Sequence, residues 1–224
     1  ADFYRRVQAM RPALCLIFVT GRDLDFIAEL CADPAFPAPD YVIGDVGTSV
    51  VAWPSRQAVA AVQDVIQARW NGASTQVRAL LAEEPGLHLQ PVMGPYRVSY
   101  YYDPEQLRPS AAEKVRAAGF DCITSAGKFF DVLPAGVHKG SSLRHLLEVC
   151  ALPANATVTA GDTLNDLGLF ESGLPSVAMG NAEAALRNRV QHLDNVYQSE
   201  APGVLGIEDG MRHFGLWHSL EAKA

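Results

Sequence analysis

Short runs of apolar residues alternate with segments of helical period along much of the chain. Residues 14–19 (L-C-L-I-F-V), 41–43, 156–160 and 175–179 each indicate a strand, and helical patterns at 24–30, 141–150, 164–171 and 181–189 lie around them. A continuous apolar run is typical of a parallel strand covered on both faces. The alternation therefore predicts an α/β fold built on a parallel sheet with helices on both sides.

The pattern changes between residues 54 and 126. Residues 57–81 predict one long helix, 97–102 (R-V-S-Y-Y-Y) an aromatic strand, 111–118 a second helix and 120–124 a second strand. These elements lack the buried runs of a parallel sheet, so they indicate a smaller α+β unit with one open face. We predict a core domain of residues 1–53 and 127–224, interrupted by an inserted domain of residues 54–126.

The aromatic strand leaves two interpretations open. Tyr100, Tyr101 and Tyr102 alternate across the strand, so one or two of them face away from the inserted domain's core. These side chains serve either as ordinary sheet packing or as a wall for a sugar ring.

Composition excludes several classes of protein. Of the 224 residues 49% are hydrophobic, which is enough for a sizeable core, and the net charge of −7 disfavours nonspecific binding of nucleic acid. No apolar run approaches the roughly 20 residues that span a bilayer. The four cysteines show no metal-binding spacing, which favours reduced thiols. We expect a cytoplasmic protein with no membrane segment, and the sequence leaves its oligomeric state open.

Three separated segments carry polar residues where strands end and helices begin. They are Thr20-Gly21-Arg22, Lys139, and the cluster Asp162, Asn165 and Asp166. Amides at the start of a helix bind anions, a lysine neutralises a phosphate oxygen, and carboxylate and amide oxygens suit Mg²⁺. Ligands of open α/β sheets bind where the strands end.

Each of these segments also has a purely structural explanation. Thr20 and the aspartates suit helix N-caps, and Lys139 suits a solvated surface. The joint placement at three strand–helix junctions favours a phosphoryl-transfer site that works by positioning and charge neutralisation.

These segments resemble a known family. F-V-T-G-R (18–22), the lysine of V-H-K-G (137–140) and G-D-T-L-N-D (161–166) are similar to motifs two, three and four of the haloacid dehalogenase-like (HAD) phosphatases. The insert resembles the IIB cap of the Cof-like and sucrose-phosphate phosphatase groups, and residues 39–50, 96–103 and 125–134 resemble segments of the latter. The resemblance covers nearly the whole chain, and it implies a Rossmann-like parallel-sheet core with an α+β cap.

The resemblance also implies a Mg²⁺-dependent hydrolysis of a phosphorylated sugar. The implied catalytic residues are Thr20, Lys139, Asp162 and Asp166; the implied substrate-binding residues are Gly21, Arg22, Arg97, Lys128 and Asn165; and the implied metal site is Asp162, Asn165 and Asp166. Arg97 and Lys128 are expected to face the active site from the cap.

The family's first motif, D-x-D-x-T after an apolar strand, is not among the printed residues. Asp23-Leu24-Asp25 is the one literal D-x-D, and it lies inside a predicted helix with Phe26-Ile27 in place of Gly-Thr. In relatives the first motif lies upstream of the helix that corresponds to residues 1–10, so we expect a chain that begins inside that helix. The missing strand would be central, and its absence is expected to leave two strand edges unpaired.

Three hypotheses follow. One is a phosphatase of a sugar phosphate or glycosyl-phosphate metabolite that acts through an aspartyl-phosphate intermediate. The second is a non-catalytic sugar-phosphate-binding or regulatory module, such as the phosphatase-like domain fused to some sucrose-phosphate synthases. The third is a doubly wound domain without a site.

Overall fold

The computed structural model describes residues 2–91 and 94–217 and has the predicted α/β architecture. The strands are β1 Ile17–Val19, β2 Tyr41–Gly44, β3 Ser49–Ala52, β4 Gln57–Ala58, β5 Leu87–Leu89, β6 Val98–Tyr102, β7 Phe120–Ser125, β8 Phe129–Pro134, β9 Thr159–Gly161, β10 Ser176–Ala178 and β11 Val196–Gln198. The helices are α1 Asp2–Ala9, α2 Leu24–Ala32, α3 Ala60–Trp70, α4 Ser74–Leu81, α5 Pro109–Ala117, α6 Lys139–Val149, α7 Leu167–Phe170, α8 Ala184–Val190 and α9 Gly203–His213. Among these described helices, none combines the length and the apolarity that crossing a bilayer requires.

The core contains two sheets. Strands β1 and β2 pair in parallel and continue through antiparallel β3 to β4, while β9, β10 and β11 form a second, fully parallel sheet. Within the described residues, β1 and β9 each have a hydrogen-bonded neighbour on one side only, as expected for two open edges. The prediction that β1 is covered on both faces is wrong, because its three residues are only half-buried. A strand with one neighbour leaves part of its surface uncovered.

The inserted unit is an antiparallel sheet in the order β5-β6-β8-β7. The face of the sheet that carries Tyr100 packs on α4 and α5, and Tyr100 is buried there. Tyr101 points to the opposite face, is 37% exposed, and lies 5.9 Å from the ring of Phe129. One tyrosine therefore packs in the core of the unit and its neighbour remains on the open face.

The predicted long helix over residues 57–81 is wrong, because the structure has two helices there. Asn71 ends α3 in a left-handed conformation (φ +47°), and Gly72 follows at φ +71°. Asparagine and glycine tolerate this conformation, so the pair acts as a C-cap rather than as helix interior.

The boundary at residue 126 separates two strands that pair with each other. Strand β8 pairs with β6 and β7 through six residues of the latter. Sheet membership therefore assigns residues 129–134 to the inserted unit, and we propose a cap of residues 54–134 with its second connection at residues 135–138.

Helix α3 spans two apolar clusters. Val62 and Ile66, both almost fully buried, pack in the core cluster with Leu143 and Leu146 of α6. Trp70, one turn later, packs in the cap cluster with Phe120. One continuous helix thus contributes side chains to both domains.

Candidate active site

The loop after β1 forms the first part of the site. The amide of Arg22 donates to the Thr20 hydroxyl at 3.0 Å, which leaves the hydroxyl hydrogen free to donate outwards. The Thr20 amide donates to Ile43 at 2.8 Å, and its carbonyl accepts from Val46 at 3.2 Å. The loop is therefore anchored by the neighbouring strand and turn.

Lys139 is the first residue of α6 and is 97% buried. His138 caps the helix, with its Nδ1 accepting from the Ser141 amide at 3.3 Å. The lysine Nζ donates to Asp166 Oδ1 at 2.7 Å and to Asn165 Oδ1 at 2.5 Å. The alternative of a solvated surface lysine is thereby excluded.

The acidic loop follows β9 at residues 162–166. The second oxygen of Asp166 accepts from the amides of Asp162 and Thr163, at 3.0 and 3.1 Å. Asp162 Oδ2 accepts from the side chain of Asn181 at 3.0 Å. Burial, followed by the negative charge of Asp166, raises the pKa of Asp162. A cation beside this carboxylate would stabilise its charged form.

Close backbone contact brings the lysine and the acidic loop together. A Cβ atom on Gly140 would lie 1.8 Å from the carbonyl oxygen of Gly168, and one on Gly168 would lie 2.2 Å from His138 Nδ1. Helices α6 and α7 can cross at this distance only because both positions lack a side chain. The loop after β1 is adjacent, since a Cβ on Gly21 would lie 3.5 Å from Asn165 Nδ2. All three predicted segments therefore converge.

Among the residues of the acidic loop, only Asp162 has carboxylate oxygen capacity left for a hard cation. Asp162 retains carboxylate capacity beyond its bond to Asn181, whereas both oxygens of Asp166 and the Oδ1 of Asn165 are taken by Lys139 and the loop itself. Within the part of the chain that the structure describes, no three His, Cys, Asp or Glu side chains form a metal cluster. Mg²⁺ is commonly held by one or two carboxylates and several waters, so Asp162 fits as a ligand while Asn165 and Asp166 act on the lysine.

The side chains of the three remaining predicted residues have partners other than Lys139, Asn165 and the aspartates of the acidic loop. Arg22 is exposed, with its guanidinium 4.9 Å from the ring centroid of Phe26. Lys128 is exposed on the β7–β8 turn, with Nζ 5.2 Å from the ring centroid of Tyr101. Arg97 is 94% buried and bonds to Asp45 and Asp131, so its side chain offers no open face to a substrate in this conformation.

Sequence reasoning missed the two partners of Arg97. Asp45 lies in the turn between β2 and β3, and Asp131 lies mid-strand in β8. A carboxylate at an otherwise apolar strand position, as in F-F-D-V-L, was the available signal, because such a charge is buried only when it is paired.

Comparison with protein families matches residues 1–215 to the family described as sucrose-6F-phosphate phosphohydrolase. A glucosylglycerol-phosphate synthase from Pseudomonas anguilliseptica is 37% identical over 208 residues, which are 92% of this chain and 27% of that protein. A mannosylfructose-phosphate phosphatase from Agrobacterium fabrum is 26% identical over 96% of this chain and 88% of its own length. The chain thus spans about a quarter of the first relative and most of the second.

Solved structures show the same fold. The sucrose-phosphatase from Synechocystis sp. PCC6803, solved with sucrose and phosphate, superposes with a TM-score of 0.87 at 24% identity, covering 96% of this chain and 90% of that one. A sugar phosphatase of HAD subclass IIB superposes with a TM-score of 0.62 at 15% identity, covering 96% and 91%. The fold predicted from the motifs, a HAD core with an inserted cap, is confirmed.

Proposed function

Because the chain belongs to the sucrose-6F-phosphate phosphohydrolase family, we propose that it acts in a Mg²⁺-dependent phosphatase. Its substrate class is a sugar phosphate or glycosyl-phosphate metabolite, and the reaction proceeds through an aspartyl-phosphate intermediate. The nucleophilic aspartate belongs to the first motif, which is not among the printed residues.

Each converging segment has one task in this proposal. The Thr20 hydroxyl and the Gly21 amide, in the loop after β1 (the phosphate loop), bind the phosphoryl group, and Lys139 neutralises its charge. Asp162 would hold Mg²⁺, which supplies further neutralisation when bound. Asn165 and Asp166 hold the lysine against the loop. Lys128 and Tyr101, exposed on the cap, remain candidates for contact with the sugar.

One observation carries the proposal: a fully buried lysine at a helix start, held by an amide and a carboxylate beside the phosphate loop. A buried ammonium costs desolvation free energy and is retained where a charge must be placed. The structural alternative, in which the aspartates only cap helices, does not explain why a lysine is buried beside them.

The 37% identity to a glucosylglycerol-phosphate synthase favours a second candidate. The match covers about a quarter of the synthase. A phosphatase-like module fused to a larger enzyme would produce a match of this kind. In that candidate the same site binds a sugar phosphate without hydrolysing it.

The two candidates are separated by reading the residues encoded before Ala1 and by assaying phosphate release. The panel includes sucrose 6-phosphate, mannosylfructose phosphate, glucosylglycerol phosphate, trehalose 6-phosphate and simple hexose phosphates. We expect turnover from a form that includes a D-x-D-x-T strand, and none from the printed chain alone. Phosphate release from the printed chain would refute the assignment of the nucleophile.

In the active form, Asp162→Asn should abolish Mg²⁺-dependent turnover, because the metal loses its carboxylate. Asp25→Asn is the matched control, since the Asp25 side chain is 86% exposed and pairs with Arg56 rather than with a residue of the site. It should retain activity. Full turnover in Asp162→Asn would exclude the metal role.

A further inference from the structure

A buried ionic cluster joins the cap to the core. The guanidinium of Arg97 donates to Asp45 Oδ1 at 2.9 Å and to Asp131 Oδ1 at 3.0 Å, and all three side chains are at least 93% buried. Asp45 belongs to the core turn between β2 and β3, whereas Arg97 and Asp131 belong to the cap. Ser49 donates to the other oxygen of Asp45 at 2.7 Å, and Ser99 donates to Asp131. Each carboxylate of the cluster therefore accepts hydrogen bonds from two donors, Asp45 on its two oxygens and Asp131 on Oδ1 alone.

The turn that carries Asp45 touches both halves of the phosphate site. The amides of Asp45 and Val46 donate to the carbonyls of Arg22 (2.9 Å) and Thr20 (3.2 Å), which form the phosphate loop. On its other side, the carbonyl of Gly47 accepts from Ser142 of α6 at 2.6 Å. A Cβ on Gly47 would lie 2.6 Å from the amide nitrogen of Lys139. The turn thus fixes the loop and the lysine with respect to each other.

The conformation of this turn needs support from outside. Asp45 and Val46 have φ values of +52° and +60°, and a β-branched valine in this region is strained. Strained residues persist only where surrounding contacts hold them. Arg97 supplies such a contact from the cap, and Gly94 closes over it, since a Cβ there would lie 3.1 Å from Asp45 Cγ.

We propose that Arg97 is a positioning residue that couples cap docking to the geometry of the phosphate site through the Asp45–Thr48 turn. When the cap is docked, Arg97 holds Asp45 and the turn holds Thr20 and Lys139 in place. When the cap separates, the turn loses this contact and the site loosens. The inference rests on the proposed function only in taking this site to bind phosphate. The coupling between cap docking and the turn is measured without catalysis.

Amide hydrogen exchange of the chain tests the coupling at the turn. Arg97→Met and Asp45→Asn should each speed exchange of the Asp45 and Val46 amides on the order of a hundredfold, because each breaks a buried ion pair. Asparagine accepts positive φ as readily as aspartate, so Asp45→Asn removes the charge without adding backbone strain. The double variant should exchange no faster than either single one.

Lys114→Met is the matched control. It removes an ion pair with Glu84 that lies within the cap, so it lowers cap stability without touching the turn. The turn amides should then exchange as in the unchanged chain. Equal acceleration in Lys114→Met, or none in Asp45→Asn, would overturn the coupling and leave Arg97 a structural residue.

Binding of inorganic phosphate in the presence of Mg²⁺ provides the functional measurement. We expect about tenfold weaker binding in Asp45→Asn than in the unchanged chain, which corresponds to about 1.4 kcal/mol. Unchanged affinity together with accelerated exchange would overturn the link to the site. If the unchanged chain binds no phosphate, the proposed function fails, and the exchange rates still decide the coupling.

Discussion

The crossing of α6 and α7 gives a sharp test of how the lysine is placed. In Gly140→Ala the new methyl group would start 1.8 Å from the carbonyl oxygen of Gly168, whereas contacts under 3.0 Å are essentially never seen. The helices must therefore separate by at least about 1.2 Å, and backbone on both sides leaves no side chain to move instead. A displacement of this size stretches the 2.7 Å bond between Lys139 and Asp166 beyond hydrogen-bonding distance.

The magnitude follows from two opposing terms. Alanine in place of a helical glycine gains about 1 kcal/mol in helix propensity. Overpacking costs about 1–3 kcal/mol where side chains can adjust, and more against backbone, so we expect a net loss of at least about 2 kcal/mol. For a chain of this size that is a fall in the melting temperature of about 4–8 °C.

Thermal and urea unfolding measure this loss, and Arg144→Ala, on the exposed side of the same helix, is the control. The control should change the unfolding free energy by less than about 0.5 kcal/mol. A Gly140→Ala variant as stable as the unchanged chain would refute the close crossing and, with it, this account of the position of Lys139.

Two further predictions concern neighbouring residues. Lys139→Met should lower the unfolding free energy by about 3–5 kcal/mol, because it leaves the buried Asp166 without its counter-charge; urea unfolding measures this, and a loss of phosphate binding without any loss of stability would contradict it. Burial lowers the pKa of His138, so the folded state holds its imidazole neutral. Its contribution to stability is fully present above pH 6.5 and is lost as the pH falls through the lowered value. His138→Asn, which can still cap α6, should remove this acid dependence from a series of unfolding curves; an unchanged dependence would assign it to another group.

The sequence predicted the three loops of the site because each has a local signal, a strand followed by polar residues at a helix start. The sequence motifs predict Lys139 and Asp166 in one site, and their side chains form an ion pair in the structure. The cluster around Arg97 could not be predicted, because Asp45, Arg97 and Asp131 come from three distant segments whose pairing depends on how the cap docks. Periodicity also failed over residues 57–81, where the left-handed pair Asn71-Gly72 interrupts an apolar pattern that runs through both helices.

The division of α3 between two apolar clusters sets the cost of opening the molecule. Val62 and Ile66 cannot follow the cap away from α6 without being exposed to water, at about 1.5–3 kcal/mol for each side chain. Wide separation of the domains therefore either exposes these two side chains to water or requires the chain to bend at Asn71-Gly72, just after the end of α3. A small swing of the rest of the cap about that joint keeps Val62 and Ile66 buried and changes only the packing around Trp70. The free energy of α3 packing therefore limits how large a molecule enters between the domains at low cost.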